Sequence, residues 1–241
     1  MEIRYFDTAE QVGVAAATLL TAQVIEKPDS ILGLATGSSP IWAYKIMGEM
    51  HKAGIVDFSK IITFNLDEYV NLPLDHPCSY HRFMDEELFT KINADPKNIH
   101  IPDGNAVDLN EECIRYDHAI LKAGGIDVQL LGIGQNGHIG FNEPSDVFVY
   151  GCHVVGLTSS TIEANQRFFN SESEVPRQAI SLGIGSIMDA QKIILIATGA
   201  EKAKAVYEAI RGNVNPDVQA SILRTHPNAI FLLDKEAASL L

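Results

Sequence analysis

Val128-Gln-Leu-Leu131 runs directly into Gly132-Ile-Gly-Gln-Asn-Gly-His-Ile-Gly-Phe-Asn-Glu-Pro144, and this junction decides how the chain is interpreted. The first segment is a short apolar run typical of a buried strand, and the second is a glycine-rich loop. Glycine permits positive φ and close backbone approach, so the loop can wrap around a small ligand. His138 and Glu143 on this loop supply a proton carrier and a carboxylate that can orient it.

Outside this junction, apolar runs alternate with amphipathic segments. The predicted strands lie at 31–35, 61–65, 128–132, 192–197 and 229–234. The predicted helices lie at 9–26, 40–53, 80–91, 109–122, 160–169 and 200–211. Continuous apolar strands separated by helices indicate a parallel sheet covered on both faces. The expected fold is therefore α/β, a doubly wound, mostly parallel sheet in a Rossmann-like three-layer sandwich.

Length and composition limit the classes of protein to which the chain can belong. The 241 residues fit one domain, 1–241, because α/β folds of this size commonly remain undivided. A formal net charge of −13, from 18 basic and 31 acidic residues, disfavours nucleic acid and anionic membrane as partners. No apolar run approaches the roughly 18 residues of a membrane span, and the amino terminus has no apolar signal core. Cys78, Cys113 and Cys152 form no CxxC pattern, which predicts free thiols and a cytoplasmic location.

Polar or glycine-rich segments follow four of the predicted strands. They are Thr36-Gly-Ser-Ser-Pro40, Leu66-Asp-Glu-Tyr69, the loop 134–143, and Thr198-Gly-Ala-Glu-Lys202. In open α/β sheets the ligand binds beyond the carboxyl ends of the strands, near the point where the strand order reverses. We therefore expect these segments to meet at one edge of the sheet and to form an active site.

The first of these segments has the composition of a phosphate-binding loop. Its candidate ligands are Thr36, Gly37, Ser38 and Ser39. Pro40 is predicted as the first residue of the following helix, and hydroxyls with free amides at a helix start bind phosphate well. The alternative is ordinary capping of that helix by Ser38 or Ser39. The segment is not a Walker A loop, because no Gly-Lys-Ser/Thr follows.

Two cations are candidates for neutralising a bound phosphate. Lys202 follows the strand at 192–197, and Arg167 lies in the predicted helix 160–169. A guanidinium group can bind phosphate through two parallel hydrogen bonds. For each residue the alternative is an ordinary exposed side chain.

Asp67 and Glu68 follow the strand at 61–65, where a carboxylate often points into the cleft and has a shifted pKa. Asp67 is a candidate general base for removing a carbon-bound proton. Two alternatives remain open from the residues alone. Asp67 caps the next turn, or Glu68 faces the site in its place.

The glycine-rich loop favours acid–base chemistry over cofactor or metal binding. Gly132-Ile-Gly-Gln-Asn-Gly137 has the spacing of a dinucleotide fingerprint, but it opens no helix and no acidic residue follows at the next strand end. The eight histidines contain no HExxH motif and no close ligand spacing, so no metal is expected. His138 is interpreted as a proton carrier, with Glu143 fixing its tautomer and Asn136 adding a hydrogen bond.

Together, these segments resemble the glucosamine-6-phosphate deaminase (isomerase) family, from near residue 1 to about 236. The segments that carry the resemblance are Leu34-Ala-Thr-Gly-Ser-Ser-Pro40, Asn65-Leu-Asp-Glu-Tyr69, Ser79-Tyr80, the loop 132–144, and Ala164-Asn-Gln-Arg-Phe-Phe169. The resemblance implies conversion of D-glucosamine 6-phosphate and water into D-fructose 6-phosphate and ammonia, in amino-sugar catabolism. It implies a sugar phosphate as the ligand and no metal or organic cofactor.

The resemblance also implies a role for each candidate residue. His138, supported by Glu143 and Asn136, would open the pyranose ring. Asp67 would take the C2 proton and return a proton at C1, after which water would attack the C2 imine and release ammonia. The phosphate ligands would be the loop 36–39, Arg167 and Lys202.

Three features depart from the family pattern. Asn136 stands where Asp is frequent, so this amide can orient His138 but cannot stabilise its protonated form by charge. The phosphate loop has Gly-Ser-Ser-Pro in place of the frequent Gly-Gly-Thr-Pro. The stretch 148–155 lacks the basic residues with which longer, hexameric members bind an N-acetylated sugar phosphate, and the chain stops at Leu241. We therefore expect no such activation, and a monomer or small homo-oligomer.

Two other functions fit part of the pattern. The 6-phosphogluconolactonases share the fold and a glycine-rich histidine loop, but a lactonase has no C2 proton for Asp67 to remove. A non-catalytic sugar-phosphate sensor on the same scaffold would need only the phosphate ligands, whereas this chain also has Asp67, His138 and Glu143. Deamination is therefore the function that we expect.

Overall fold

A seven-stranded parallel sheet forms the centre of the computed structural model, which describes residues 1–169 and 171–241. The strands are β1 (Glu2–Phe6), β2 (Ile31–Leu34), β3 (Ile62–Asn65), β4 (Asp67–Tyr69), β5 (Ile99–His100), β6 (Val128–Leu131), β7 (His153–Gly156), β8 (Gln178–Ser181), β9 (Lys192–Ala197) and β10 (Ala229–Asp234). The helices are α1 (Ala9–Glu26), α2 (Ile41–Lys52), α3 (Tyr80–Glu87), α4 (Leu109–Ala123), α5 (Ser159–Gln166), α6 (Ile184–Met188) and α7 (Ala203–Arg211).

The strand order of the main sheet is β1-β10-β9-β6-β2-β3-β5. The chain proceeds outward from β2 through β3 to β5, then returns to β6 on the other side of β2. The order therefore reverses between β2 and β6, which are paired neighbours. A crevice at such a reversal is the usual ligand site of an open α/β sheet. The predicted doubly wound α/β fold is confirmed.

Helices cover both faces of the sheet, because successive side chains of a strand point to opposite faces. On one face, Leu32, Leu130 and Ile194 pack with residues of α1, α2 and α3. On the other face, Leu131 and Leu195 pack with residues of α4, α6 and α7. Burial on both faces explains why the central strands are continuous apolar runs. Within residues 1–169 and 171–241, no helix has the length and apolar content needed to span a bilayer.

The structure contains strands that the sequence does not predict. β1 is an edge strand with mostly exposed side chains, and β5 has only two residues, so neither forms an apolar run. β4, β8 and β7 form a separate antiparallel sheet. This small sheet bears directly on the site, because pairing with Ser181 fixes the backbone of Asp67.

Three helix boundaries near the site differ from the predicted ones. Pro40 occupies the N-cap position of α2, and the helix begins one residue later than predicted. α5 ends one residue before Arg167, which is therefore its C-cap residue. A 3-10 turn over Ala200–Lys202 precedes α7, so the α-helix begins three residues later than predicted. The last two differences place the candidate phosphate ligands Arg167 and Lys202 at helix ends, where backbone groups lack helical partners.

Candidate active site

A cavity of about 300 Å³ lies at the carboxyl edge of the sheet, where β2, β3 and β6 end. The predicted site residues on its wall are Thr36, Gly37, Ser38, Ser39, Asp67, His138, Arg167 and Lys202. Asn136 and Glu143 are absent from the wall; they lie behind His138 and contact it. Among residues 1–169 and 171–241, no group of three or more His, Cys, Asp or Glu side chains can hold a metal ion.

Asp67 lies on the cavity wall in surroundings that favour its neutral form. Burial raises the pKa of its carboxyl group to about 8, and the negative charge of the adjacent Glu68 adds to the rise. A carboxyl group with a pKa near neutrality can both remove and return a proton under physiological conditions. Asp67 therefore has the protonation behaviour needed for proton transfer at carbon.

Glu68 has a structural role, and this settles which of the two neighbouring acids faces the site. Its fully buried carboxylate accepts hydrogen bonds from the backbone N–H groups of Tyr69, Tyr80 and His81. It also lies 2.8 Å from Nδ1 of His81. A carboxylate at the start of α3 is stabilised by the free amides and the dipole of the helix. Glu68 does not line the cavity, whereas Asp67 does.

Glycines allow the catalytic loop to lie close to Asp67. The N–H of Gly134 donates to the carbonyl of His138 at 2.8 Å, and a Cβ atom at position 134 would clash with the His138 ring. Gly140 has a φ of +56°, and a Cβ atom there would lie 2.9 Å from Oγ of Ser181 and 3.6 Å from Oδ2 of Asp67. Glycine at positions 134 and 140 therefore lets the loop backbone pass close to the His138 ring and to the Asp67 carboxyl group.

His138, Glu143 and Asn136 form a connected polar group. Nδ1 of His138 lies 3.3 Å from Oε2 of Glu143, and Nδ2 of Asn136 donates to the same oxygen at 2.8 Å. The side-chain oxygen of Asn136 accepts the backbone N–H of His138 at 3.2 Å. Because Nδ1 is held by the carboxylate, Nε2 is the ring nitrogen left for a ligand.

Glu143 remains ionised at neutral pH. Burial acts to raise the pKa of its carboxyl group, but contacts with His138, Thr161 and Asn136 outweigh burial and hold this pKa at about 2. The backbone N–H of Thr158 lies 3.3 Å from the other carboxylate oxygen, which ties the start of α5 to the loop. An ionised partner of this kind stabilises a protonated His138 ring, so the ring can accept a proton during a reaction.

The loop after β2 has hydroxyls available for an anion. No side chain caps α2, so the alternative that Ser38 or Ser39 serves as its N-cap is wrong. Gly37 has a φ of +86°, and a Cβ atom there would meet nothing within 4 Å. Backbone conformation, and not space, therefore favours glycine at this position. The uncapped start of α2 adds free amides and the positive end of the helix dipole.

Lys202 and Arg167 bring positive charge to the same cavity. Burial lowers the pKa of the Lys202 ammonium group; the Glu201 carboxylate opposes this shift and the Arg167 guanidinium adds to it. The guanidinium carbon of Arg167 lies 4.7 Å from the centre of the Phe168 ring. The two cations repel each other in one partly buried cavity. An anion that neutralises both, such as a phosphate monoester, would therefore bind favourably there.

The cavity also has an aromatic wall that the sequence analysis did not assign to the site. The ring centre of Tyr69 lies 4.9 Å from that of Tyr80, 5.5 Å from that of Phe141 and 5.8 Å from that of Phe169. All four side chains line the cavity. Aromatic residues beside a strand end are usually core residues, so their type gave no signal of a role in binding.

Comparison with known proteins places the whole chain in one family. A family model described as "Glucosamine-6-phosphate isomerases/6-phosphogluconolactonase" matches residues 6–231. A protein of Thermoanaerobacter pseudethanolicus named glucosamine-6-phosphate deaminase is 54% identical over 232 residues, which cover 96% of this chain and 92% of that protein. The chain belongs to the glucosamine-6-phosphate deaminase family.

Solved structures agree with membership of the glucosamine-6-phosphate deaminase family. A monomeric glucosamine-6-phosphate deaminase matches with a TM-score of 0.98 and 42% identity over 100% of both chains. A 6-phosphogluconolactonase of Thermotoga maritima matches with a TM-score of 0.74 and 20% identity, over 97% of this chain and 99% of that chain. The second likeness shows a shared fold alone. The resemblance drawn from the sequence motifs is confirmed.

Proposed function

We propose that this chain converts D-glucosamine 6-phosphate and water into D-fructose 6-phosphate and ammonia in the cavity at the sheet edge. One observation carries the proposal. A buried carboxyl group with a pKa of about 8, Asp67, shares a cavity with His138 and with an uncapped hydroxyl loop and two cations. This reaction needs one acid–base group that transfers protons at carbon, a second that transfers protons at oxygen, and a site that binds the phosphate group.

The phosphate group binds at the end of the cavity formed by the loop after β2. The hydroxyls and amides of that loop donate hydrogen bonds, and the uncapped start of α2 favours negative charge. Arg167 and Lys202 neutralise the phosphate, and its arrival relieves the repulsion between them. Binding at this end positions the sugar toward Asp67 and His138.

His138 opens the sugar ring. Opening removes a proton from the O1 hydroxyl and delivers a proton to the ring oxygen, so one group that both accepts and donates is sufficient. Nδ1 of His138 is held by Glu143, which leaves Nε2 for the substrate. The ionised Glu143 carboxylate stabilises the imidazolium that forms between the two transfers.

Asp67 moves a proton from C2 to C1 of the open-chain sugar. As a carboxylate it removes the C2 proton, and the electron pair moves onto the aldehyde, whose oxygen takes a proton from the substrate's protonated amino group to give a neutral enolamine. As a carboxylic acid it returns the proton to C1, which leaves an iminium group at C2. A protonated amino group on the arriving substrate lowers the pKa of Asp67 and so supplies the ionised base.

Water completes the reaction. It adds to C2 of the iminium group, its two protons pass to the nitrogen, and the nitrogen leaves as ammonium, that is ammonia and a proton, so that C2 becomes the ketone of fructose 6-phosphate. The electron sinks for both stages are the substrate's own aldehyde and imine. The atoms balance as one sugar phosphate and one water in, and one sugar phosphate and one ammonia out.

We also propose that the chain acts as a monomer in a reducing, cytoplasmic compartment. Its similarity to a monomeric deaminase structure supports the first part, and its three unpaired cysteines support the second. Light scattering on the purified chain is expected to give a mass near 26.3 kDa. A mass that is a multiple of this value at micromolar concentration would contradict a monomer.

The central experiment measures ammonia and fructose 6-phosphate released from glucosamine 6-phosphate without added metal. We expect the two products in equal amounts from the wild type. In Asp67→Asn we expect kcat to fall by about 10²–10⁴-fold, the usual value of a positioned acid–base group. Calorimetric binding of the substrate to the variant serves as the control for a folded, occupied site.

Three results would contradict the proposal. Wild-type turnover by Asp67→Asn would remove Asp67 from the mechanism. Hydrolysis of 6-phosphogluconolactone by the wild type, with no ammonia from the amino sugar, would identify a lactonase. Binding of the sugar phosphate with neither reaction would identify a sensor.

A further inference from the structure

Two tyrosines on the cavity wall have no part in the proposed chemistry. Tyr69 ends β4 and is only 2% exposed, and Tyr80 is the first residue of α3. Burial of each phenol raises its pKa, so both hydroxyls remain protonated and can donate as well as accept hydrogen bonds. A buried hydroxyl that only filled space would be costly, since burial without polar partners is unfavourable.

The polar partners of the two hydroxyls connect opposite sides of the cavity. Nδ2 of Asn165 donates to the hydroxyl of Tyr69 at 2.9 Å. The ring of Tyr80 packs with its centre 4.9 Å from that of Tyr69, and Thr36 lines the same cavity as both rings. The hydroxyl of Tyr80 interacts with that of Tyr69 and with the side chain of Thr36. We call these four side chains, Thr36, Tyr80, Tyr69 and Asn165, the tyrosine relay.

One end of the tyrosine relay is a proposed phosphate ligand, and the other end lies close in sequence to a second one. Thr36 belongs to the loop after β2, and Asn165 lies on α5 two residues before Arg167. The other end of α5 is already held, because the N–H of Thr158 contacts Glu143. The contact between Asn165 and Tyr69 therefore fixes the end of α5 from which Arg167 extends.

Tyr80 is itself held firmly from three directions. Its backbone N–H donates to both carboxylate oxygens of Glu68, at 3.1 and 3.0 Å. Its ring stacks on that of Phe141, with centres 6.0 Å apart and planes 11° apart. The second tyrosine ring, Tyr69, packs at 4.9 Å. A ring fixed in this way places its hydroxyl at a defined point beside Thr36.

We propose that Tyr80 and Tyr69 are positioning residues for the phosphate group, which hold Thr36 and Arg167 at the separation that a phosphate monoester requires. The proposal rests on the proposed function for the identity of the substrate, but the anion site itself does not depend on the deamination chemistry. Removing either phenol hydroxyl loosens the phosphate ligands and leaves Asp67 and His138 intact. The effect therefore falls on the binding of the phosphate and not on the chemical step.

The test is a split between KM and kcat in Tyr80→Phe and Tyr69→Phe. Each variant keeps its ring and loses one oxygen. We expect KM for glucosamine 6-phosphate to rise about tenfold, the equivalent of one lost hydrogen bond, with kcat within about twofold of the wild type. The inhibition constant of inorganic phosphate is expected to rise by the same factor, and the pH profile of kcat is expected to stay unchanged.

Tyr116→Phe is the matched control. Tyr116 is fully buried, and its hydroxyl donates to the backbone carbonyls of Asn65 and His100, away from the cavity wall. This variant loses the same atom from a more deeply buried site. We expect a lower melting temperature with unchanged KM and unchanged phosphate inhibition, which separates positioning from general loss of stability.

Each outcome decides for or against the relay. Unchanged KM and phosphate inhibition in folded Tyr80→Phe would overturn it, as would an equal rise of KM in Tyr116→Phe. If Tyr80→Phe does not fold, Asn165→Leu at the partly exposed end of the relay replaces it, with the same expected rise of KM. If the wild type releases no ammonia, the proposed function fails alone, because calorimetric binding of inorganic phosphate by the same variants still tests the relay.

Discussion

The carboxylate of Glu143 lies 3.3 Å from Nδ1 of His138, and this contact fixes the orientation of the ring. The ring side chain is 19% exposed, whereas the carboxylate side chain is only 6% exposed. Water therefore screens the interaction weakly, and a charge on one partner is felt strongly by the other. In the proposed mechanism, the acid–base capacity of His138 depends on a carboxylate that does not line the cavity.

Glu143→Gln tests this dependence. The amide keeps the shape of the side chain and removes its charge, so the imidazolium that forms during ring opening loses its stabilisation. We expect kcat/KM to fall by about 10²-fold or more while the affinity for inorganic phosphate stays within twofold. Steady-state kinetics and phosphate inhibition measure the two quantities. Near-wild-type kcat/KM in this variant would show that His138 works without the carboxylate.

Asn136→Asp tests what the amide at this position contributes. Nδ2 of Asn136 donates to Glu143 at 2.8 Å, so an aspartate there would bring a second negative charge against the first. The added charge stabilises the imidazolium that forms during ring opening in the proposed mechanism, and we expect kcat/KM at neutral pH to rise by up to about tenfold. Asn136→Ser, which removes the amide without adding charge, is the control and is expected to show no such rise.

The stability of the protein is expected to report the burial of Asp67. Its folded-state pKa of about 8 is above the unfolded value of 3.8, so the folded state binds the proton more tightly. Below about pH 4 the carboxyl group is protonated in both states, so it does not lower the free energy of unfolding. As the pH rises toward 8 the unfolded state ionises and the folded state does not, so the free energy of unfolding falls progressively. Asn does not ionise, so the difference in free energy of unfolding between Asp67→Asn and the wild type is expected to grow by at least about 2 kcal/mol from pH 5 to pH 8. Urea unfolding at the two pH values measures this, and a constant difference would mean that Asp67 is not desolvated.

The sequence predicted the parts of the fold that follow from periodicity alone. A strand covered on both faces must be apolar throughout, so the runs at 31–34 and 128–131 were recognisable, and the loops that follow them were placed at one edge. The small antiparallel sheet was not predictable, because its strands are short and pair residues far apart, such as Asp67 and Ser181. The choice between Asp67 and Glu68 likewise depends on amides that α3 contributes, and no local pattern encodes them.

The charge of Glu68 is expected to set part of the pH dependence of catalysis. Burial is the main cause of the raised pKa of Asp67, and the Glu68 carboxylate is the second cause. Since the ionised form of Asp67 is the base in the proposed mechanism, kcat/KM of the wild type is expected to rise with pH up to about 8. In Glu68→Gln the negative neighbour is gone, so this rising limb is expected to move to lower pH by up to about one unit.

Glu86→Gln is the matched control for this shift. Glu86 lies on α3, the helix whose first amides Glu68 accepts, but it is exposed and paired with Arg82. The same change there is expected to leave the profile unchanged. Glu68→Gln is also expected to lose about 1–3 kcal/mol of stability, because buried amides at the start of α3 lose a charged acceptor. A folded Glu68→Gln variant whose limb coincides with that of the wild type would show that burial alone determines the pKa of Asp67.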